Sequence, residues 1–343
     1  MQRIRKIAGN IKKYLLFYSL GVMTFGWVLG LTFPGTVRAA QPHMGLFMTI
    51  FVFFMIYPMM INLDLGELPR IVKDPKPVLL SLVYNYLVTP VVAFLLAFLF
   101  LHDPMISLGF MLVMLIPVAS SSVGYTGITG GSVETATIAQ AVNFLLIPVL
   151  SPLYLTFLNS KSVPIPRGSI LKSILLVVVL PMILGYITRV LIIKVGGKKR
   201  LSEIAPILAL STFIAMFVII GSIFFAKAEI LISKWELLLV LAGITLLYLV
   251  VMLALITFID KKAGLSYKDH MGIVFLSTGK NNGTAVAIAT MAFNPLVAIP
   301  AAVLPLFQII FLVGYIHLEK KIKGYFQNSK EKLSEQIQRS TED

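Results

Sequence analysis

Long apolar runs, separated by short stretches rich in charge, proline and glycine, dominate the chain. Runs of about 20 apolar residues are what a helix needs to cross the hydrocarbon core of a bilayer. The pattern therefore predicts an all-α polytopic membrane protein with ten transmembrane helices. The predicted spans are 14–33, 44–61, 77–101, a fourth from 105, a fifth ending near 158, 170–193, 205–225, 237–259, 271–293 and 296–317.

Polar and small residues interrupt two of these spans. The fourth loses its apolar character after Ser120, with a break centred near Tyr125, and the ninth breaks between Ser277 and Gly283. Each break falls in the fourth span of a five-span half, and an odd number of spans makes the second half enter from the opposite side. This layout is typical of two inverted five-helix repeats whose broken fourth and ninth helices cross at a transporter's binding site. The alternative is that small residues merely kink packed helices.

The predicted organisation is a cytoplasmic N-terminus (1–13), a first repeat (14–160), a second repeat (161–319) and a charged cytoplasmic tail (320–343). Most of the 29 Lys and Arg residues fall in segments that this arrangement places inside, which predicts two cytoplasmic termini and a plasma-membrane location. The first span and the stretch 37–40 resemble a signal peptide, but the apolar run exceeds the usual length of a signal core. We expect that helix to be retained.

Composition narrows the function classes. Hydrophobic residues make up 58% of the chain and charged residues 13%, unlike a soluble domain. The net charge of +14 comes from residues that flank spans, so no nucleic-acid partner is predicted. The absence of cysteine excludes disulfides, iron–sulfur clusters and thiol nucleophiles. With four scattered histidines, neither a metal site nor a cofactor is expected. The expected partners are the lipid bilayer and a small anionic substrate, and the oligomeric state is open.

Lys280 is the one basic residue deep within a predicted span. A lysine at the bilayer centre costs about 2.5–3.5 kcal/mol on insertion scales. Its ammonium could bind an anionic substrate, or take the place of a transported cation and carry a proton. Alternatively, the span is drawn wrongly and the side chain snorkels to an interface. H⁺ and Na⁺ both stay open as coupling ions.

Other polar side chains near the breaks are further candidates. Glu134, the one carboxylate close to the first break, could pair with Lys280 or bind a proton, or could simply begin a helix. The remaining candidates could bind substrate or ions, or could join helices by hydrogen bonds. They are Ser121, Ser122, Thr126, Gln140, Asn143, Ser277, Thr278, Asn281 and Asn282, with Asn85 weaker and Gln308 weaker still.

The breaks suit binding better than catalysis. Unwound backbone exposes N–H groups at half-helix N-termini, which suit anions, and carbonyls at C-termini, which suit cations. The sequence offers no catalytic triad, paired carboxylates or phosphate-binding loop in a suitable context. A membrane-embedded enzyme or a receptor would need clustered intramembrane acids and histidines or a sizeable soluble domain. A channel stays open as a more distant alternative to alternating access.

Several stretches resemble a known superfamily. Residues 68–86 are similar to the second-to-third-span junction of the arsenite efflux permeases, which form one superfamily with the bile acid:sodium symporters. The first break with Ala141, Val142 and Asn143 after it, and the second break at 279–282, also fit. The resemblance covers 14–319, is closer to the arsenite permease branch, and implies a ten-span secondary transporter.

Departures from that pattern shape the expected substrate. The arsenite permeases that this chain resembles share a cysteine on the fourth span. The matching residues of this chain, 117–120, contain no thiol. Sodium-coupled members place an acidic residue where this chain has Ser277, and an asparagine where it has Val123. The resemblance therefore implies transport of a small organic anion or oxyanion without strict sodium dependence. Arsenite or metalloid efflux through hydroxyl and amide contacts is the alternative.

Overall fold

The computed structural model describes residues 2–63, 74–119, 122–158, 168, 172, 175–233, 235–293 and 296–327. These residues form an all-helical protein, as the hydropathy pattern predicts. The helices are α1 (Gln2–Lys13), α2 (Leu15–Thr32), α3 (Pro34–Asn62), α4 (Pro75–Val83), the π-helical turn π1 (Tyr84–Val88), α5 (Thr89–Phe100), α6 (Pro104–Leu115), α7 (Ser122–Ile128), α8 (Val133–Leu158), π2 (Leu175–Val179), α9 (Leu180–Ala226), α10 (Ala228–Ser233), α11 (Trp235–Lys262), α12 (Tyr267–Thr278), α13 (Asn282–Ala292), α14 (Ala298–His317) and α15 (Glu319–Phe326).

Five helices of the described chain are long and apolar enough to cross a membrane. The count is six if the segments 17–32 and 34–44, which meet at 113°, form one span. The number is below ten for three reasons. The predicted fourth and ninth spans are each split into short helices, α9 contains the predicted seventh span and most of the sixth, and the apolar segment 46–62, which contains most of the predicted second span, is shorter than the five.

The helix α9 doubles back on itself at Gly197. This glycine has φ 68° and ψ −179°, a conformation outside the helical region that glycine adopts readily. Tyr57 of α3 hydrogen-bonds Thr188 (2.7 Å), whereas Ser211 donates to the carbonyl of Phe54 on the same helix (3.3 Å). A straight helix would separate Thr188 and Ser211 by about 35 Å, so both segments of α9 lie along one face of α3.

The helices pack as two groups. The first contains α2, α3 and α9, and the second contains α4 to α8 with α11 to α14. The two groups meet where α13 packs on α3, and a Cβ built on Gly283 would lie 3.0 Å from the sulfur of Met55. The N-terminal segment, expected as a cytoplasmic end, is the helix α1, which packs against α9.

Close helix contact in the first group depends on two glycines of α2. A Cβ on Gly26 would lie 2.3 Å from the carbonyl oxygen of Gly221, and one on Gly30 would lie 2.4 Å from that of Phe225. Their spacing of four residues places both on one face of α2, as in other membrane helix pairs that join through small residues.

We predict that Gly26→Val separates α2 from α9, because the added methyl groups would overlap backbone atoms that cannot move aside. Overpacking of this kind costs about 1–3 kcal/mol, so the melting temperature in detergent should fall. Gly21→Val is the matched control, since a Cβ there meets nothing within 4 Å. Equal melting temperatures for the two variants would contradict the close packing of α2 on α9.

Candidate functional site

The two chain breaks lie against each other in the protein interior. Pro117 and Lys280 form an isolated antiparallel bridge. The N–H groups of Val118 and Ala119 donate to the carbonyl of Gly279 at 3.1 and 3.3 Å, and the residue after Lys280 donates its N–H to Ile116 (2.9 Å). Unpaired backbone groups cost several kcal/mol in a membrane, so each break satisfies the groups that the other exposes. We call this region the crossing (residues 116–119 and 279–281).

The first break lies earlier than the sequence pattern indicates. It occupies 116–119 before α7 begins at Ser122, so the predicted centre at Tyr125 is wrong. Pro117 has no N–H to continue the α6 ladder, and Val118 has φ +72°, a strained conformation for a β-branched residue. The small polar residues that follow pack instead of unwinding. The hydroxyl of Thr126 donates to the carbonyl of Met271 on α12 (3.0 Å).

Ser122 and the residues of the second break are also placed by this packing. The Ser122 hydroxyl donates to the carbonyl of Phe275 (2.8 Å). The second break covers only 279–281, so Ser277 and Thr278 end α12 and Asn282 begins α13. All three side chains therefore sit at helix ends and not within unwound backbone.

Two amide side chains hold the second break. The side-chain oxygen of Asn281 accepts from the N–H of Thr284 (3.1 Å) and so caps α13. Gln308 of α14 donates to the carbonyl of Thr278 (3.0 Å) and accepts from the Asn282 amide (2.7 Å). Gln308 thus bridges both sides of the break. The sequence did not reveal this role, because Gln308 is an isolated polar residue in an apolar span.

Lys280 is buried at the crossing, 1% exposed, so the alternative in which it snorkels to an interface is wrong. Its Nζ donates to the side-chain oxygen of Asn85 (3.2 Å), the hydroxyl of Thr89 (3.4 Å) and the carbonyl of Ser277 (3.0 Å). The Tyr248 ring centroid lies 5.7 Å from Nζ, within range of a cation–π interaction. A cradle of neutral oxygens and an aromatic face thus surrounds the ammonium.

A second polar layer fixes this cradle. The Asn85 amide donates to the side-chain oxygen of Asn143 (2.9 Å), whose own amide donates to the Ser81 hydroxyl (2.9 Å) and to the carbonyl of Ala139 (2.8 Å). Asn85, Asn143 and Ser81 are all fully buried. Asn85 lies in π1, and π-helical turns inside α-helices occur frequently at functional sites.

Three buried side-chain atoms beside the crossing have no hydrogen-bond partner among the described residues. They are the hydroxyl oxygens of Ser277 and Thr284 and the amide oxygen of Asn282. Leaving such a group unsatisfied costs about 1–3 kcal/mol. An ion, a water molecule or a polar group of a substrate would remove that cost, so these atoms mark where a ligand can bind.

A cavity of about 620 Å³ leads toward the crossing from the side of the protein that carries α1. Helices α1, α3 and α9 form one wall, and α7 and α8 form the other. Met59, whose sulfur lies 3.8 Å from the Asn281 amide nitrogen, lines it together with Val123, so the cavity lies beside the crossing. Polar lining comes from Asn62, Tyr125, Thr137, Gln140, Ser202 and Thr212. Arg5 is the one charged residue among the described residues that line it, so an anion entering the cavity meets a positive charge.

Glu134 is not brought to Lys280. It is exposed in the first turn of α8. Ser132, two residues earlier, donates its N–H to the carbonyl of Lys268 (2.8 Å), which places this turn near the start of α12. Helix α12 continues for ten residues, about 15 Å, from Lys268 to Thr278, and Lys280 lies beyond its end, so the predicted Glu134–Lys280 pair is wrong. Ser121 lies outside the described residues.

Sequence reasoning missed Thr89, Tyr248 and Arg5. Thr89 and Tyr248 lie in spans with no break, where a hydroxyl on a long apolar helix does not stand out from ordinary helix contacts. Arg5 belongs to a basic end that the charge distribution explains without any site. Only the position of α1 shows that Arg5 lines the cavity.

Comparison with known proteins decides the family. Residues 49–234 match the Sodium Bile acid symporter family. The chain belongs to this family. The sodium-dependent transporter YocS of Bacillus subtilis (strain 168) is 27% identical, covering 83% of this chain and 85% of its own. The transporter slr0944 of Synechocystis is 25% identical (94% and 92%), and the arsenical-resistance protein Acr3 of Corynebacterium glutamicum is 23% identical (90% and 88%).

Membership in this family establishes the general class of activity. The protein is a multi-pass membrane protein and a secondary transporter of the superfamily that unites bile acid symporters with Acr3 permeases. The family is one of transporters and not of enzymes, which confirms that prediction. The bilayer and a small substrate are therefore its partners.

We predict that Asn143→Ala destabilises the protein by about 1–3 kcal/mol, because Asn85 and Ser81 then keep buried polar groups without their partner. Thermal unfolding in detergent measures the effect. Gln140→Ala is the matched control, since Gln140 lies one turn earlier on α8 and faces the cavity. If the two variants have the same melting temperature, Asn143 does not organise the second polar layer.

Proposed function

We propose that the protein moves a small organic anion or oxyanion by alternating access, with the substrate bound at the crossing between two inverted five-helix repeats. The paired breaks with a buried lysine between them carry this proposal. The Lys280 ammonium supplies positive charge, and the unpartnered hydroxyls of Ser277 and Thr284 on either side of the same break can donate to an anionic oxygen. Corresponding broken helices that meet in the interior are the usual site of substrate binding in repeat-built transporters.

Sodium is not strictly required in this proposal. The Lys280 ammonium already occupies a cradle of three neutral oxygens, and neutral and anionic oxygens are also what hard cations bind. The covalently attached charge therefore fills a place that a mobile cation would otherwise take. Ser277 adds no carboxylate there. Because the similar YocS is named as sodium-dependent, sodium dependence is the property to measure first.

The cavity provides the access route. The distribution of basic residues predicts a cytoplasmic N-terminus, and α1 borders the cavity mouth, so the described conformation is open toward the cytoplasm. On the other side of the crossing, α13 packs directly on α3. Movement of the second helix group against the first would close this cavity and open the opposite side.

Arsenite or metalloid efflux is the second candidate. It is favoured by the similarity to Acr3 across most of both chains. The chain has no cysteine, so metalloid contacts would come from hydroxyl and amide groups at the crossing. Soft thiolate coordination is unavailable to it in any conformation.

We predict that proteoliposomes containing the protein take up pyruvate (a small carboxylate) or sulfate (an oxyanion). The rate of that uptake should be the same in Na⁺ medium as in medium where choline replaces Na⁺. Lys280→Met should lower that uptake at least tenfold, because it removes the buried positive charge and keeps the side-chain length. Radiolabelled pyruvate, sulfate and arsenite serve as the three probes. The exposed Lys262→Met is the matched control and should transport as the parent does.

Each outcome of that assay has a defined meaning. Strict Na⁺ dependence would overturn the sodium-independent part of the proposal. Uptake of arsenite alone would select the second candidate, and uptake of none of the three probes would count against both. Unchanged uptake by Lys280→Met would remove the lysine from the substrate site.

Arg5→Gln should raise the KM for the transported anion about fivefold without lowering kcat, because one attractive charge at the cavity mouth contributes about 1 kcal/mol. The effect should shrink at high ionic strength, where charges are screened. Arg3→Gln is the control, since Arg3 is exposed and does not line the cavity. Equal KM values for both variants would show that Arg5 does not attract the substrate.

A further inference from the structure

A second buried ionisable cluster lies one helix length from the crossing. Asp260 near the end of α11 and His270 in the first turns of α12 are both 0% exposed, and their Oδ2 and Nδ1 atoms are 2.7 Å apart. The Tyr84 hydroxyl donates to the other oxygen of Asp260 (2.6 Å). Tyr315 of α14 lies 2.8 Å from His270 Nε2. None of these contacts involves the cavity or the substrate site.

The hydrogen bonds fix where the protons are. Thr257 donates its one hydroxyl hydrogen to the carbonyl of Leu253 (2.6 Å), so it can only accept from Tyr315 (2.7 Å). The one hydrogen of Tyr315 is then used, and its oxygen must accept from His270 Nε2. His270 therefore carries a proton on Nε2.

A further proton lies between Asp260 and His270. Two lone pairs cannot face each other at 2.7 Å, so either Nδ1 or Oδ2 is protonated. The pair thus holds one proton more than a neutral imidazole beside a carboxylate, and its net charge is zero. Loss of that proton would leave one uncompensated negative charge in a site that water does not reach.

The surroundings offer little to compensate that charge. The ionisable groups around the pair are Tyr84 of π1, Tyr315 of α14, and Lys261 and Tyr267 on its own helices. From α4, the Lys76 ammonium donates to the carbonyl of Ala263, three residues after Asp260. The Lys261 ammonium donates to the carbonyl of Phe326 (2.9 Å), whose ring stacks on His270 at 4.5 Å between centroids. From α15, the Glu319 carboxylate places a negative charge near the Tyr267 hydroxyl. Glu134 of α8 is exposed. An uncompensated buried charge is costly, so the proton can leave only if the helices move and admit water or a cation.

The cluster is linked to the crossing through π1. Tyr84, which donates to Asp260, and Asn85, which accepts from Lys280, are consecutive residues of that turn. Helix α12 also joins the two sites, because it carries His270 and ends beside Lys280. A change in the hydrogen bonds at one site therefore reaches the other through two rigid elements.

We propose that the Asp260–His270 pair is a proton-binding site whose proton is released and rebound as the transporter changes conformation, which makes H⁺ the coupling ion. This inference rests on the proposed function, since coupling presupposes transport. The competing view is that the pair is a permanent ionic link between α11 and α12. The two differ in one observable, because a permanent link holds its proton in every conformation.

The test measures conformation without any substrate, so its result does not depend on which anion is carried. The chain has no cysteine, so Thr137→Cys places a single thiol in the cavity wall. The maleimide labelling rate of this thiol is measured in nanodiscs at each pH. It is divided by the labelling rate of a reference variant, Val195→Cys, whose position is 84% exposed. The division cancels the intrinsic pH dependence of thiol reactivity. We expect this ratio to change at least threefold in one step between pH 5.5 and 8.5.

Variants assign the step to the pair. Asp260→Asn with His270→Gln keeps hydrogen-bonding groups but has no dissociable proton, and it should abolish the step. Tyr84→Phe keeps the pair and removes one donor to the carboxylate, so the step should persist with its midpoint moved to higher pH. Because Tyr84→Phe is conservative, it tests the assignment even if the double variant does not fold.

Three results would overturn the proposal. They are a ratio that is constant with pH in the native background, a step that survives in the double variant, and a step that disappears with Lys280→Met but not with the double variant. The last would place the titrating proton on Lys280. Failure of the proposed transport function would show instead as absent anion uptake, with the labelling step still present.

Discussion

Backbone groups that leave a helix inside a membrane must find partners, and this requirement organises the centre of the protein. The breaks in the two interrupted helices provide carbonyls and N–H groups for each other, from Ile116 to Asn281 and from Val118 to Gly279. Neither break would be stable alone in hydrocarbon. The two helix pairs are therefore coupled at one point, and any movement of one must carry the other with it. Such a point is well suited to a binding site that keeps its shape during transport.

The same constraint explains where buried charge is tolerated. Lys280 stands where a carbonyl from the end of α12, an amide oxygen from π1 and a hydroxyl from α5 converge. Its charge is stabilised by dipoles and not by a carboxylate, so it remains available to an anion. The Asp260–His270 pair follows the opposite arrangement, in which the proton count keeps the site neutral. The protein thus separates a lysine held by neutral dipoles from an acid–base pair that holds one shared proton.

The sequence predicted the helical class, the superfamily and the existence of two breaks, because hydropathy runs and clusters of Gly, Ser and Asn are local signals. The exact first break was misplaced because Gly- and Ser-rich segments can also be tightly packed helix, as α7 is against α12. Of the alternatives for Glu134, the start of a helix is the one that the structure has, because the turn after α7 places it in the first turn of α8, near the start of α12. Thr89 and the Asp260–His270 pair escaped notice, and Gln308 was only a weak candidate, because the contacts of each are with residues distant in the sequence. A lone polar residue in an apolar run shows no partner until the helices are assembled.

The π-helical turn at Tyr84–Val88 connects these observations. Inserting one extra residue in a helix turn changes which side chains face which neighbour, and here it directs consecutive residues to different sites. Tyr84 reaches Asp260, Asn85 reaches both Lys280 and Asn143, and Tyr86 donates to the Asn143 carbonyl (2.5 Å). In a regular α-helix neighbouring side chains diverge by about 100°, so three consecutive side chains span about 200° of the helix surface. The turn holds three consecutive polar side chains in the buried interior, so the surroundings of Asp260 and of Lys280 depend on the same few backbone atoms.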